Sequence, residues 1–107
     1  MSERSKYSLQ ISQKAKRDLH NIHAYIEQEL HEPETADHVL DRIIASIDSL
    51  AHMPRRNAVL EDMGLIQRRI RREIADNHLI FYTIIEEDKS VQIIRVLCNR
   101  RDWLHLL

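Results

Sequence analysis

The chain has 107 residues, 43% of them hydrophobic and 31% charged, with one glycine, two prolines and a formal net charge of −1 at pH 7. That length sustains one hydrophobic core and not two, so residues 1–107 read as a single domain, and the ordinary globular composition excludes fibrous, low-complexity and largely disordered classes. No apolar run approaches the roughly 20 residues that cross a bilayer, no signal-peptide core follows Met1–Lys6, and the lone Cys98 has no internal disulfide partner, so a cytoplasmic protein with no membrane contact is expected.

Tyr7-Ser8-Leu9-Gln10-Ile11 alternates apolar and polar residues, the pattern of a half-buried strand, and Ser12 is placed to cap a following helix. From Gln13 to Leu30 the apolar positions Ala15, Leu19, Ile22, Ile26 and Leu30 form one helical stripe flanked by Tyr25. Pro33 fits the first turn of a new helix but not an interior, so the chain turns at His31-Glu32 and a second helix runs to about His52. Its buried side is Ala36, Val39, Leu40, Ile43, Ile44, Ile47, Leu50 and Ala51. The short connection makes the pair an antiparallel hairpin, acidic outside: between Asp18 and Asp48 eight carboxylates face a single permanent cation, Arg42.

Residues 55–65 lack periodicity and contain the only glycine, Gly64; a loop of this kind is where function tends to reside. Ile66, Ile70 and Ile74 lie four apart, and a strand from about Arg69 to Ala75 is favoured because Asp76-Asn77 forms a turn into the next strand. Leu79–Ile85 and Val91–Leu97 are dense in aliphatic and aromatic residues on both faces, the mark of central strands, and Glu86–Ser90 joins them as a hairpin turn. The tail from Asn99 is expected to start a short helix, with Trp103, Leu104 and Leu107 folding back as anchors. The order β-α-α-β-β-β describes an α+β domain, a small antiparallel sheet with the N-terminal helical hairpin on one face and a short C-terminal helix.

Charge is unevenly spread. Residues 1–52 hold six Lys/Arg against nine Asp/Glu, whereas 53–107 hold ten against eight, and the stretch 55–72 carries six arginines against Glu61 and Asp62. One face is therefore expected to be positive and suited to an anionic partner although the whole is near neutral. The candidate binding residues are Arg68, Arg69, Arg71, Arg72, Arg95, Arg100, Arg101 and Trp103. Arg68–Arg72 alternates with apolar residues and also reads as a plain solvated face. Arg95 interrupts an apolar strand, so an internal pair with Asp102 or Glu73 is the competing reading. Trp103 is a core anchor unless it stacks on a base. His20 and His23, three apart with Glu27 beyond, permit a surface metal site geometrically, but nothing else in the sequence converges on them, and neither metal nor cofactor is expected.

Taken together the chain resembles the RelE/ParE superfamily of bacterial type II toxin–antitoxin toxins. The resemblance rests on the opening strand followed by Ala15-Lys16-Arg17-Asp18-Leu19-His20-Asn21-Ile22, then Tyr25-Ile26, Leu50 with Pro54, Arg71-Arg72 ahead of His78-Leu79-Ile80-Phe81-Tyr82, and Ile93-Ile94-Arg95-Val96-Leu97 followed by Arg100-Arg101-Asp102-Trp103. It implies a growth-inhibiting toxin, associated with plasmid stabilisation, that is neutralised by a cognate antitoxin with an acidic tail and a DNA-binding N-terminal domain. ParE-like members inhibit DNA gyrase, whereas RelE-like members cut messenger RNA on the ribosome. In the nuclease reading, metal-independent, the catalytic candidates are Arg72, Arg101, His78 and Tyr82: a proton must leave the 2′-OH, another must reach the 5′ oxygen, and cations must hold the phosphate. The family's tyrosine in the final helix corresponds to Leu107, a lysine pair before the second strand is replaced by Arg55 and Arg56, and the His-Tyr pair of another branch is Cys98-Asn99 here. With Arg-Val-Leu-x-x-Arg-Arg-Asp at the last strand, the chain resembles the ParE branch more closely.

Overall fold

A computed structural model describes residues 6–62, 64–99 and 103–107. Strand β1 (Ser8–Ile11) leads into helix α1 (Gln13–Ala24), a π-helical turn (Tyr25–Glu29) and helix α2 (Pro33–Ser49); strands β2 (Arg71–Ala75), β3 (His78–Ile85) and β4 (Ser90–Cys98) follow. The sheet order is β1-β4-β3-β2. The two strands read as central are central. The sheet is antiparallel except that β1 runs parallel to β4, Ser8 facing Ser90 and Ile11 facing Ile93, a partner that alternation alone does not specify.

Ser12 caps α1: its Oγ accepts from the Ala15 amide at 3.0 Å and donates to the Ile94 carbonyl at 2.8 Å, which fixes the helix to β4 at its first turn. The helix does not stay α-helical to Leu30. Successive spacings of four at Ile22, Ile26 and Leu30 outrun a 3.6-residue repeat, and the chain widens into a π turn that keeps Ile26 buried while leaving Leu30 and Tyr25 about half exposed. His31 then reverses the chain with φ 56°, and Pro33 opens α2. That helix ends at Ser49, three residues short of the expected His52, because the amides of Leu50, Ala51 and His52 bond the carbonyls three residues back. Ile44, expected inside, is 41% exposed.

Both faces of the sheet are covered. Ala15, Ile43, Ile47 and Leu50 pack on Ile80, Tyr82, Val91, Ile93 and Val96 to form the main core. On the other face Leu65, Ile70, Leu79, Phe81 and Leu97 make a second cluster, closed by Leu60, Ile94 and the tail residues Trp103, Leu106 and Leu107. A bulge joins the two: Phe81 faces Arg95 and Tyr82 faces Ile93, so Ile94 is an extra residue. The slip keeps Val91, Ile93 and Val96 on the helical side although the last two are three apart.

The tail forms a 3-10 turn at Leu104–Leu106, and Leu104 is 43% exposed, so Leu106 replaces it as an anchor. Asn99, the expected helix start, lies in a turn with its amide on the Asn77 carbonyl at 2.7 Å, and residues 100–102 of the expected helix lie outside the described residues. Arg69 has a left-handed backbone, φ 56°, which ends the turn before β2 and starts the strand at Arg71. Ile70 is thereby buried, while Ile66 and Ile74 are 51% and 62% exposed, so the three isoleucines share no face. Among the described residues no helix is long and apolar enough to cross a membrane.

Candidate functional site: arginines on two faces of one sheet

The arginine-rich segment divides between the two faces of the sheet. Arg71 faces Tyr82 and Arg72 faces Phe81 in register, and those two aromatics belong to opposite cores. Arg71 donates to the Asn57 carbonyl. On the tail side, Arg72 lies over the Trp103 ring at 5.6 Å, and that ring stands 5.0 Å from Phe81. Arg68 donates to the Leu107 carbonyl at 2.6 Å and Arg95 to the Leu106 carbonyl at 3.1 Å. Three of the candidate binding arginines therefore hold the tail against the sheet. Trp103 is the anchor expected of it, half-buried between Arg72 and Phe81.

Arg95 has its carboxylate, but it is Asp18, not Asp102 or Glu73. Nε and Nη2 of Arg95 donate to the two Asp18 oxygens at 2.7 and 2.9 Å, and the Val96 amide donates to Oδ2 at 2.9 Å. The geometry follows from the strand ends: β1 stops opposite Ile93, leaving the outer edge of β4 open, and α1 brings Asp18 to that edge. The pair keeps 16% and 11% of its side-chain surface, and the hydrogen bonds to Asp18 raise the Arg95 pKa. Asp18 was legible as a polar intrusion on the apolar stripe, three residues after Ala15 and four before Ile22.

Glu73 belongs to a separate network. Arg56 grips it through Nε and Nη2 at 3.2 and 2.9 Å, Asn57 donates to it at 2.6 Å, and Arg56 Nη2 also donates to the Ser49 hydroxyl at 2.6 Å. Tyr82, one of the nuclease candidates, lies wholly inside; its hydroxyl donates to the Pro54 carbonyl at 2.8 Å and accepts from Asn57 Nδ2 at 3.2 Å. Burial pushes its pKa up. It anchors the Pro54–Asn57 turn and does not open to solvent as an acid or base.

His78, at the start of β3, faces Ala75 and Cys98, on the helical side by alternation with Ile80. Its Nδ1 is buried without a hydrogen-bond partner, and desolvation holds its pKa below 6.5, with only Asp76 opposing. The unfolded chain therefore binds the proton more readily than the folded one between those two pKa values. Stability from this residue is complete above about pH 6.5 and falls as acid carries the chain from there towards the lower folded pKa. His78→Leu is expected to flatten that limb of a Tm-against-pH profile; an identical slope in the variant would remove His78 as its source.

Arg72, His78 and Tyr82 are thus spread over two faces and the interior, and the structure does not bring them to one open point. Arg100 and Arg101 lie outside the described residues. His23 takes Asp37 at 2.8 Å and Glu27 at 3.8 Å as internal partners, and among the described residues no group of three His, Cys, Asp or Glu is placed to hold a metal ion. Two openings lie among the described residues: one of about 550 Å³ beside Ala58, Val59, Glu61, Ile66, Gln67 and Arg69, and one of about 390 Å³ beside Arg55, Arg69, Arg71, Ile84, Glu86 and Glu87. The second opening brings three arginines, Arg55, Arg69 and Arg71, to one surface.

The family model described as the ParE toxin of the type II toxin–antitoxin system parDE matches residues 9–103. The chain belongs to the ParE toxin family. No curated protein matches it significantly. Among solved structures, the chromosomal ParDE toxin–antitoxin system from P. aeruginosa superimposes with a TM-score of 0.70 at 21% identity, covering 88% of this chain and 97% of that one. The RelBE2 toxin–antitoxin complex from Mycobacterium tuberculosis gives 0.61 at 20% identity over 87% and 91%. A mutant of the E. coli toxin RelE in the free state gives 0.61 at 13% identity over 94% and 92%. These likenesses establish a shared fold. This ParE-family chain is accordingly a toxin component of a type II toxin–antitoxin system.

Proposed function

We propose that this ParE-family toxin arrests growth in the cytoplasm by binding DNA gyrase, without chemistry of its own, and is held inactive by a cognate antitoxin. The observation that carries the reading is the match to the ParE family across residues 9–103. It is supported by the scattering of the nuclease candidates: the Tyr82 hydroxyl is enclosed and already bonded, and Arg72 rests on Trp103. A binding toxin needs only a contact surface, and the exposed Arg69 beside Arg55 and Arg71 is a candidate part of one.

The antitoxin partner follows from the same family and from the complexes among the structural relatives. An acidic antitoxin segment complements arginines that an isolated domain of net charge −1 concentrates after residue 53. The remaining candidates, Arg100 and Arg101, are proposed to serve the same contacts. Purified chain added to gyrase and relaxed plasmid is expected to block supercoiling in proportion to dose, and stoichiometric antitoxin to restore it. Unimpaired supercoiling together with cleavage of ribosome-bound transcripts would replace the gyrase reading with a ribosome-dependent endoribonuclease.

A further inference from the structure

Three guanidiniums and two carboxylates share the groove of about 390 Å³ at the end of the sheet where β2 starts and the β3–β4 turn closes. Arg55 arrives on the 3-10 turn after α2, Arg69 on the turn before β2 and Arg71 on the first residue of β2, while Glu86 and Glu87 come from the β3–β4 turn. Their commitments differ. Arg71 already donates to the Asn57 carbonyl. Arg55 is ion-paired with Glu86, whose carboxylate also accepts from the Tyr7 hydroxyl at 3.1 and 3.3 Å. Arg69 is exposed and has no ion-pair or side-chain hydrogen-bond partner among the described residues.

The backbone at Arg69 is held in its left-handed conformation by tertiary contacts. Thr83 Oγ1 donates to the carbonyls of Arg68 and Arg69 at 3.4 and 3.0 Å. A long side chain in that region is disfavoured by sterics and persists where surrounding structure enforces it. The enforced turn delivers an uncompensated cation beside two partly occupied ones.

We propose that this groove receives a carboxylate side chain of an extended acidic peptide, and that Glu86 occupies Arg55 as an internal stand-in which the incoming carboxylate replaces. A guanidinium fork accepts carboxylates in a bidentate geometry, and Arg55 and Arg69 together present two such forks. Glu86 on Arg55 favours a peptide as the occupant: an incoming side-chain carboxylate replaces the Glu86 carboxylate like for like, in a place already shaped to pair carboxylate with guanidinium. The inference rests on the toxin–antitoxin reading, in which the acidic segment belongs to the antitoxin.

The consequence is opposite in sign for two neighbouring substitutions. With a fluorescent N-acetyl hexaglutamate peptide as probe, Arg69→Gln is expected to weaken binding about fivefold and Glu86→Gln to tighten it about threefold, both effects shrinking as salt is raised. Circular dichroism and thermal unfolding identify any variant that misfolds, and Glu87→Gln, which removes a charge without freeing Arg55, is expected to fall between wild type and Glu86→Gln. Weaker binding by Glu86→Gln, or no change in either main variant, overturns the proposal, as does tighter binding of a six-nucleotide thymidine strand than of the peptide. The same variants are then titrated with full-length cognate antitoxin. If wild type forms the complex and neither substitution alters its affinity, the groove is not the contact and the toxin reading stands; if wild type binds no antitoxin, the toxin reading fails and the peptide result judges the groove alone.

Discussion

Replacing Asp18 with alanine is expected to destabilise the fold by about 3 kcal/mol, the lower end for breaking a buried ion pair because some water still reaches this one. The substitution strands three donors at once: Arg95 Nε, Arg95 Nη2 and the Val96 amide. The amide matters as much as the charge, because it lies where β4 has outrun β1 and has no other strand to meet. The loss should appear as a lower urea midpoint with an unchanged slope and as a Tm lower by more than about 10 °C. Arg95→Met combined with Asp18→Ala should be no less stable than Asp18→Ala alone, since removing the guanidinium removes the uncompensated charge. A cost below about 1 kcal/mol for Asp18→Ala would mean that the pair does not fasten α1 to β4.

Phe81→Ala is expected to cost about 3–5 kcal/mol, the usual range for deleting a fully buried phenyl ring. The residue sits at the centre of the second cluster, between Leu79 and Leu97 and against Trp103. Removing it withdraws the surface on which the tail rests, so the variant should also report locally. Trp103 is the only tryptophan, and its emission should shift to the red and become more easily quenched by iodide before global unfolding begins. Val91→Ala, in the core on the other face, should lower stability without that early fluorescence change. Identical behaviour of the two variants would indicate that the two clusters unfold as one.

The element order was readable because each element carries its own signal. The two-residue alternation of β1, Ser12 and Pro33 are local features that the structure places as expected, and the stripes of the two helices hold except at Leu30 and Ile44. What escaped was relational. Alternation states which residues share a face and not which strand lies alongside, so the parallel pairing of β1 with β4 was invisible. The bulge at Ile94 has a trace in the three-residue step from Ile93 to Val96, but Ile94 and Leu97 are apolar too and fill the gap in the pattern.

The site was legible in composition and less so in geometry. An arginine cluster can be counted, yet Arg68 and Arg95 reach backbone carbonyls of the tail, acceptors with no sequence signature, 39 and 11 residues away. Arg71 and Arg72 are adjacent in sequence, and for that reason they lie on opposite faces of a strand. The Arg55–Arg69–Arg71 groove gathers residues from three segments with Glu86 from a fourth, a convergence only the fold displays. Tyr82 carried a usable hydroxyl in the sequence; its depth beneath the helical hairpin, and the Pro54 carbonyl waiting for it, decided its role.

The proposed action of this ParE-family toxin on gyrase is open to test by inducing the chain alone in growing cells. Incorporation of labelled thymidine and labelled methionine should be followed together from the first minutes. A gyrase inhibitor makes DNA synthesis fall first, with cleaved DNA and an SOS response, while translation continues and transcripts stay intact. An early fall in protein synthesis with transcripts cut at ribosomal A sites, DNA synthesis declining only afterwards, would contradict the proposed action.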